Sequence, residues 1–246
     1  MSDDFLDDDM MGLPSRAHDK EEQGLDFSFV LASSVHDMKN SLGMLLTSLE
    51  EVIDHAPPQD DIQKNHFSVL QYEASRINSE LIQLLTIYRL NEKNLPFNLD
   101  ENYISETFDD QVARNDVLFR TKGVELSIDC DPDLAWFYDN ELIGNVIHNV
   151  LINSARYAQK QVSISAEMED KQLLIKIEDD GNGFPNFMID AAELENNNKG
   201  ATDSTQLGLF FAAKIAHFHR QGETRGQIKL YNGGTLGGGV FEIRLP

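Results

Sequence analysis

From Leu31 the apolar residues fall at Leu31, Val35, Met38, Leu42, Leu45, Leu49 and Val52. Steps of four and three in alternation are a heptad seam along one helix. The stretch APPQDD, residues 56–61, breaks it, because two prolines cannot continue a helix and the residue before each is biased out of helical geometry. The seam resumes at Phe67, Leu70, Ala74, Ile77, Leu81, Leu84 and Tyr88, so the segment folds as two long helices in an antiparallel hairpin. Further apolar residues flank each seam (Phe29, Val30, Leu46 and Ile53; Val69, Ile82, Leu85 and Ile87). That stripe is too broad for one hairpin to bury, and pairing with a second copy into a dimeric four-helix bundle covers it.

Past NEKNLPFNLD, residues 91–100, the pattern changes. VELSIDCD, QVSISAEME, QLLIKIEDD and GVFEIRLP read as strands, and ISETFDDQVARNDVLFR, NELIGNVIHNVLINSARYAQ and TQLGLFFAAKIAHFHR read as helices. The expected fold class is therefore α+β: the hairpin, then an α/β sandwich whose mixed sheet is covered by helices. The expected domains are an acidic flexible tail over 1–24, the hairpin over 25–93 and the α/β domain over 98–246. LENNNKGATDST, residues 194–205, is polar and without period and reads as a mobile loop.

Charge narrows the partners. The formal net charge is −22, a field that repels nucleic acid and anionic lipid, so a bound phosphate needs a local site or a metal ion. Neither nucleic acid nor membrane is expected as a partner. The single cysteine, Cys130, rules out an intrachain disulfide and fits a reducing compartment. No stretch approaches the roughly 20 apolar residues of a spanning helix, and the first residues are acidic where a secretory signal is basic. A cytoplasmic location is the expectation.

Several stretches carry polar chemistry. His36 follows seam residue Val35 and precedes Asp37, with Asn40 one turn further along the same face. A neutral imidazole is a nucleophile near pH 7, an adjacent carboxylate can take its second ring proton, and an amide can position a water for the reverse hydrolysis. A lone exposed histidine is more often a spectator. In NVLINSARY, Asn149 and Asn153 stand four apart on one helix with Arg156 nearby. Amide oxygens suit Mg²⁺, although such pairs also occur on plain surface helices. IEDDGNGF takes an apolar strand into acids and then Gly181 and Gly183, where backbone can approach a ligand and a strand-end acid can accept from an exocyclic amine; DDGNG is equally a plain turn. Gly208 opens a helix whose free N–H groups can hold phosphate. NGGTLGGGVFEIRLP lacks the lysine of a phosphate loop and reads as a hairpin turn, and the histidines of HFH, two apart on a helix, do not face each other.

In order and spacing these stretches resemble the sensor histidine kinases of bacterial two-component systems, over residues 26–246. His36, Asp37 and Asn40 look like the histidine box, Asn149 through Tyr157 the asparagine box, Asp179 through Gly183 the first glycine box, and Leu207, Gly208 and Leu209 the second. The resemblance implies a dimerisation and phosphoacceptor hairpin followed by a GHKL-type catalytic domain. It implies His36 as phosphoacceptor, Asp37 as base and Asn40 as a phosphatase residue. Asn153 would ligate Mg²⁺, Asn149 and Arg156 would contact ATP phosphates, Tyr157 would pack near adenine and Asp179 would accept from the adenine amine. Gly181, Gly183 and Gly208 would admit the backbone, and residues 185–205 would form an ATP lid. ATP and Mg²⁺ are the implied cofactors. The implied partners are a second copy of the chain, a response-regulator receiver domain and, since the acidic tail is too short to sense, a separate upstream sensor protein. The second glycine box departs from the family pattern, with Ser204, Thr205 and Gln206 where glycines usually stand. The alternative is a histidine phosphotransfer adaptor or scaffold with a degenerate ATP domain.

Overall fold

The computed structural model describes residues 19–58, 60–91, 97–196 and 207–246. The acidic stretch before residue 19 and most of the 194–205 loop lie outside the described residues. The chain divides into two compact units, Met1–Ala74 and Ser75–Pro246.

In the first unit α1 runs Asp19–His55, and α2, Asp61–Asn91, begins and continues into the second. The break between them follows from local chemistry. The last turn of α1 closes with the Ala56 N–H on the Val52 carbonyl at 2.9 Å, Pro57 and Pro58 end it, and the Asp60 carboxylate caps α2 by accepting from the Gln63 N–H at 2.7 Å. Burial sorts the seams into columns seven residues apart. Val35 and Ala74 are buried, with Leu42, Leu49, Phe67 and Leu81 half-buried, whereas Met38, Leu45, Val52, Leu70, Ile77 and Leu84 are 41–55% exposed.

The second unit is a sandwich around a five-stranded mixed sheet in the order β2 (Glu125–Cys130), β4 (Gln161–Glu169), β5 (Gln172–Asp179), β9 (Gly239–Leu245), β8 (Gln227–Asn232). β2 and β4 are parallel and the remaining pairs antiparallel. A two-stranded ribbon, β1 (Asp100–Tyr103) with β3 (Ala135–Tyr138), and a short hairpin, β6 (Arg220–Gln221) with β7 (Thr224–Arg225), lie outside it. The helices are α3 (Ile104–Lys122), α4 (Asn140–Tyr157), α5 (Asn186–Asn196) and α6 (Leu207–Phe218).

Period-two alternation divides the sheet faces. Val162, Ile164, Ala166, Leu173, Ile175, Ile177, Phe241, Ile243, Ile228 and Leu230 form one core with Phe108, Phe119, Ile143, Ile147 and Leu151 of α3 and α4 and Phe211 and Ile215 of α6. The opposite face is largely polar, with Leu174 and Val240 buried among charged residues. Glu242 sits in register between Lys176 and Lys229, and Arg244 pairs with Glu169. The expected α/β sandwich with a helix-covered mixed sheet is thus the observed one, with the helices layered on its apolar face.

Asp139 fixes where α4 starts. One oxygen accepts from the Leu142 N–H at 3.0 Å and the other from Asn98 N–H at 2.9 Å, while its own N–H donates to Nε2 of His219 at 3.0 Å. His219, 2% exposed, donates Nδ1–H to the Ile215 carbonyl at 2.8 Å, so both ring nitrogens are engaged only as the neutral tautomer. Burial accordingly lowers its pKa, against the opposing pull of the Ile215 bond and the Asp139 charge. His219 is therefore a packing residue, one position past the end of α6 rather than on it.

Candidate nucleotide site

The candidate residues of the α/β domain gather at the C-terminal ends of α4 and β5. Asn149 is half-buried on α4 and Asn153 exposed one turn on. Arg156 and Tyr157 close the helix, with the guanidinium 5.4 Å from the centre of the Tyr157 ring, a cation–π distance. Beyond Tyr157 the chain turns into β4, and Asp180 holds the turn by accepting from the Gln159 N–H at 2.8 Å and the Lys160 N–H at 3.0 Å. Slight burial would raise the Asp180 pKa, but the N–H groups of Lys160, Gln161 and Gln159 outweigh it and hold it low. Of the two adjacent acids, Asp180 is thus structural.

Asp179 is different. It ends β5 only 6% exposed. Its Oδ1 accepts from the Gly181 N–H at 2.8 Å and the Gly239 N–H at 3.2 Å, and Oδ2 accepts from no donor among the described residues. Two backbone donors on one oxygen are what allow a carboxylate to be buried without a cation beside it.

The glycines have separate reasons. A Cβ on Gly181 would fall 2.4 Å from the Tyr157 carbonyl oxygen, so the end of α4 and the turn after β5 touch because that side chain is missing. Gly183 has φ of +78°, and its Cβ would overlap Oδ1 of Asn232. That amide braces the next residue from both sides, accepting from the Phe184 N–H at 2.6 Å and donating to the Phe184 carbonyl at 2.9 Å.

Leu207, Gly208 and Leu209 form the first turn of α6, a helix packed against α4. The residues before Leu207 lie outside the description, while residues 186–196, inside the expected lid stretch, form α5. His36, Asp37 and Asn40 stand on α1 in the first unit. Asp37 and Asn40 are exposed, and the His36 side chain lies outside the described residues. Among the described residues no three His, Cys, Asp or Glu side chains gather as a metal site, and no helix is long and apolar enough to cross a membrane.

The hairpin turn expected here does join β8 to β9, with Asn232 opposite Gly239, but the sequence reading does not assign Asn232, Gly238 and Gly239 their further role of holding the turn that carries Asp179. A signal was present: GGTLGGG has five glycines in seven residues, more than a hairpin turn requires.

A buried strand-end carboxylate held by the N–H groups of Gly181 and Gly239 thus lies beside the end of a helix that carries two amides one turn apart. Residues 138–246 match the family described as histidine kinase-, DNA gyrase B- and HSP90-like ATPase. The chain is 23% identical over 242 residues to Sensor protein SrrB of Staphylococcus aureus, covering 93% of this chain and 39% of that protein. It is 24% identical over 218 residues to Sensor histidine kinase CssS of Bacillus subtilis, covering 88% and 46%. The chain thus spans less than half the length of these relatives. Among solved structures, histidine kinase AdeS of Acinetobacter baumannii superposes with a TM-score of 0.54 at 18% identity, covering 85% of this chain and 96% of that one. Full-length ShkA in complex with AMPPNP gives 0.61 at 18%, covering 89% and 46%. The structures speak for the fold. The sequence matches mark residues 138–246 as similar to this ATPase family, within a chain similar to sensor kinases.

Proposed function

We propose that the chain phosphorylates His36 from ATP and passes the phosphoryl group to an aspartate on a response-regulator receiver. The observation that carries the reading is Asp179, buried at the strand end with one oxygen saturated by backbone and the other open, next to the α4 end. On this reading the open oxygen accepts from the adenine amine and Tyr157 lies along the base. Asn149 and Arg156 take the phosphates. Asn153 would supply an amide oxygen to Mg²⁺, an ion whose charge would offset that of the phosphates. The absence of a carboxylate cluster among the described residues fits an ion held mainly by substrate. His36 attacks the γ-phosphorus as the bond from that phosphorus to the β–γ bridging oxygen breaks and ADP leaves, Asp37 takes the second ring proton, and Asn40 positions water when the phosphoryl group is later hydrolysed. Positioning and charge compensation carry such a transfer, since it asks little covalent help of the protein.

A homodimer belongs to the same reading. The exposed column Met38, Leu45 and Val52 on α1 and Leu70, Ile77 and Leu84 on α2 repeats every seven residues, the spacing at which a second hairpin covers a seam. The test of the activity is incubation with γ-labelled ATP and Mg²⁺. Acid-labile, base-stable label that disappears in His36→Gln is expected. Nucleotide binding without any such label would refute the phosphoacceptor role, and absence of binding at millimolar ATP would refute the nucleotide site itself.

A further inference from the structure

Five contacts tie the β8–β9 loop to the turn that carries Asp179. Besides the paired bonds between Asn232 and Phe184, the Thr235 N–H donates to the Glu178 carboxylate at 2.9 Å, the Gly238 N–H to the Asp179 carbonyl at 3.0 Å and the Gly239 N–H to Asp179 Oδ1 at 3.2 Å. The loop is therefore more than a connection between strands. It reaches both the main chain and the side chain of one buried acid.

The space around that acid is closed to a side chain at Gly238 and tight at Gly239. A Cβ on Gly238 would fall 2.4 Å from the Asp179 carbonyl oxygen and 2.7 Å from its Oδ1, and one on Gly239 would sit 3.1 Å from Oδ2 and 3.0 Å from the Phe184 ring. The two glycines act on different atoms. Gly238 lets the strands approach, whereas Gly239 occupies Oδ1 through its N–H and leaves Oδ2 uncovered by having no side chain.

We infer that Gly238 and Gly239 are positioning residues for purine selectivity: they orient Asp179 so that one oxygen is saturated by backbone and the other is presented bare to an exocyclic amine. The inference rests on the nucleotide reading proposed above. Its chemical consequence is specific. A bare carboxylate oxygen accepts from the 6-amino group of adenine but repels the 6-oxo group of hypoxanthine or guanine, which has no donor to offer there. Selectivity of this kind depends on where Oδ2 points, so a residue that moves it changes discrimination between bases rather than affinity for the triphosphate they share.

The experiment is calorimetric titration of the full chain with Mg·ATP and Mg·ITP, which differ at the 6-position where the amine meets Asp179. Wild type should prefer ATP by about tenfold or more. Gly239→Ala, whose methyl meets Oδ2, should lose most of that preference by weakening ATP while leaving ITP nearly unchanged. Gly237→Ala is the control: it strains the same loop, with φ of +87°, but its methyl meets nothing within 4 Å, so it should lower the melting temperature and keep the ratio. Asp179→Asn should abolish or reverse the preference. If wild type shows no preference, or Asp179→Asn keeps it, the reading of Asp179 fails and the inference falls with it. If Asp179→Asn loses it while a cooperatively melting Gly239→Ala retains the full ratio, the inference alone is overturned. Should Gly239→Ala not melt cooperatively, Asn232→Ala decides in the same way, because its exposed amide braces Phe184 against Gly239 without touching the acid; an unchanged ratio there overturns the inference.

Discussion

His148 makes the stability of the α/β domain depend on pH in a direction that can be worked out from its surroundings. It lies on α4 facing α3, and its Nδ1 is buried without a hydrogen-bond partner among the described residues, as is Oε1 of Gln111. Arg114, also on α3, reaches Asn145 one turn back on α4 at 3.5 Å. Burial first, and the Arg114 charge second, lower the His148 pKa from 6.5 to about 4. Above pH 6.5 the ring is neutral folded or unfolded, and the full stability is present. Between 6.5 and 4 the unfolded chain binds a proton that the folded one refuses, so stability falls as pH falls. At about 1.36 kcal/mol per pH unit, lowering the pH from 8 to 5 removes about 2 kcal/mol at this site. With a urea slope of about 2 kcal/mol per molar, the midpoint moves by about 1 M. Trp136, the single tryptophan, lies in the same unit with its indole N–H on the Pro246 carbonyl, and its fluorescence follows the transition. His148→Leu should match or exceed wild type at pH 8, having removed an unpaired buried nitrogen. It should also lose about 1 M less in midpoint on going to pH 5, a pH still above the isoelectric point near 4.5. Other groups titrate equally in both proteins and cancel. Parallel curves for the two proteins would show that the ring is not held neutral by its burial, and the reasoning would fail.

The hairpin and the α4 cap give two further expectations. Leu45→Asp, in the middle of the exposed column, should convert a dimer to a monomer in sedimentation without loss of helical signal; an unchanged mass would place the dimer contact elsewhere or exclude one. Asp139→Ala orphans the Leu142 and Asn98 N–H groups together and should cost about 2–3 kcal/mol in urea unfolding followed by Trp136, whereas a loss below about 0.5 kcal/mol would mean the cap is replaced by water.

Legibility of the sequence followed the range of the interactions involved. The hairpin was readable because heptad spacing and two prolines are local signals, and α1 and α2 meet them at Val35, Ala74 and Pro57. Strands β4, β5 and β9 were readable because their apolar residues alternate or run unbroken. β8 was not, since QIKLYN offers only two buried aliphatic residues, Ile228 and Leu230, between polar ones. The ribbon strands β1 and β3 are four residues each, too short for any period to show. α5 was missed although Ile189, Ala191 and Ala192 join the core, because it spans only eleven residues and runs into the polar stretch that reads as a loop. At the site, Asp179 was legible as an acid ending an apolar strand, but its neighbour Asp180 looked the same. Only the fold separates them: Asp180 turns outward onto the N–H groups of Gln159 and Lys160, and Asp179 inward onto those of Gly181 and Gly239. Gly239 is sixty residues away along the chain, and no local pattern could have assigned a glycine of an apparent hairpin turn to that carboxylate.

That long-range pairing also explains how so acidic a chain can offer a site to a nucleotide. With a formal charge of −22, an exposed carboxylate near the base would add to a field that already repels the triphosphate. Burying Asp179 and giving one of its oxygens two backbone dipoles confines its charge to a single accepting direction, while Arg156 offers a positive group at the end of α4. On the function proposed above, base recognition at the β5 end and phosphate attraction by the amides and guanidinium on α4 would be separated in space. A substitution at Gly239 should therefore change which base is chosen, and one at Arg156 how tightly any triphosphate is held.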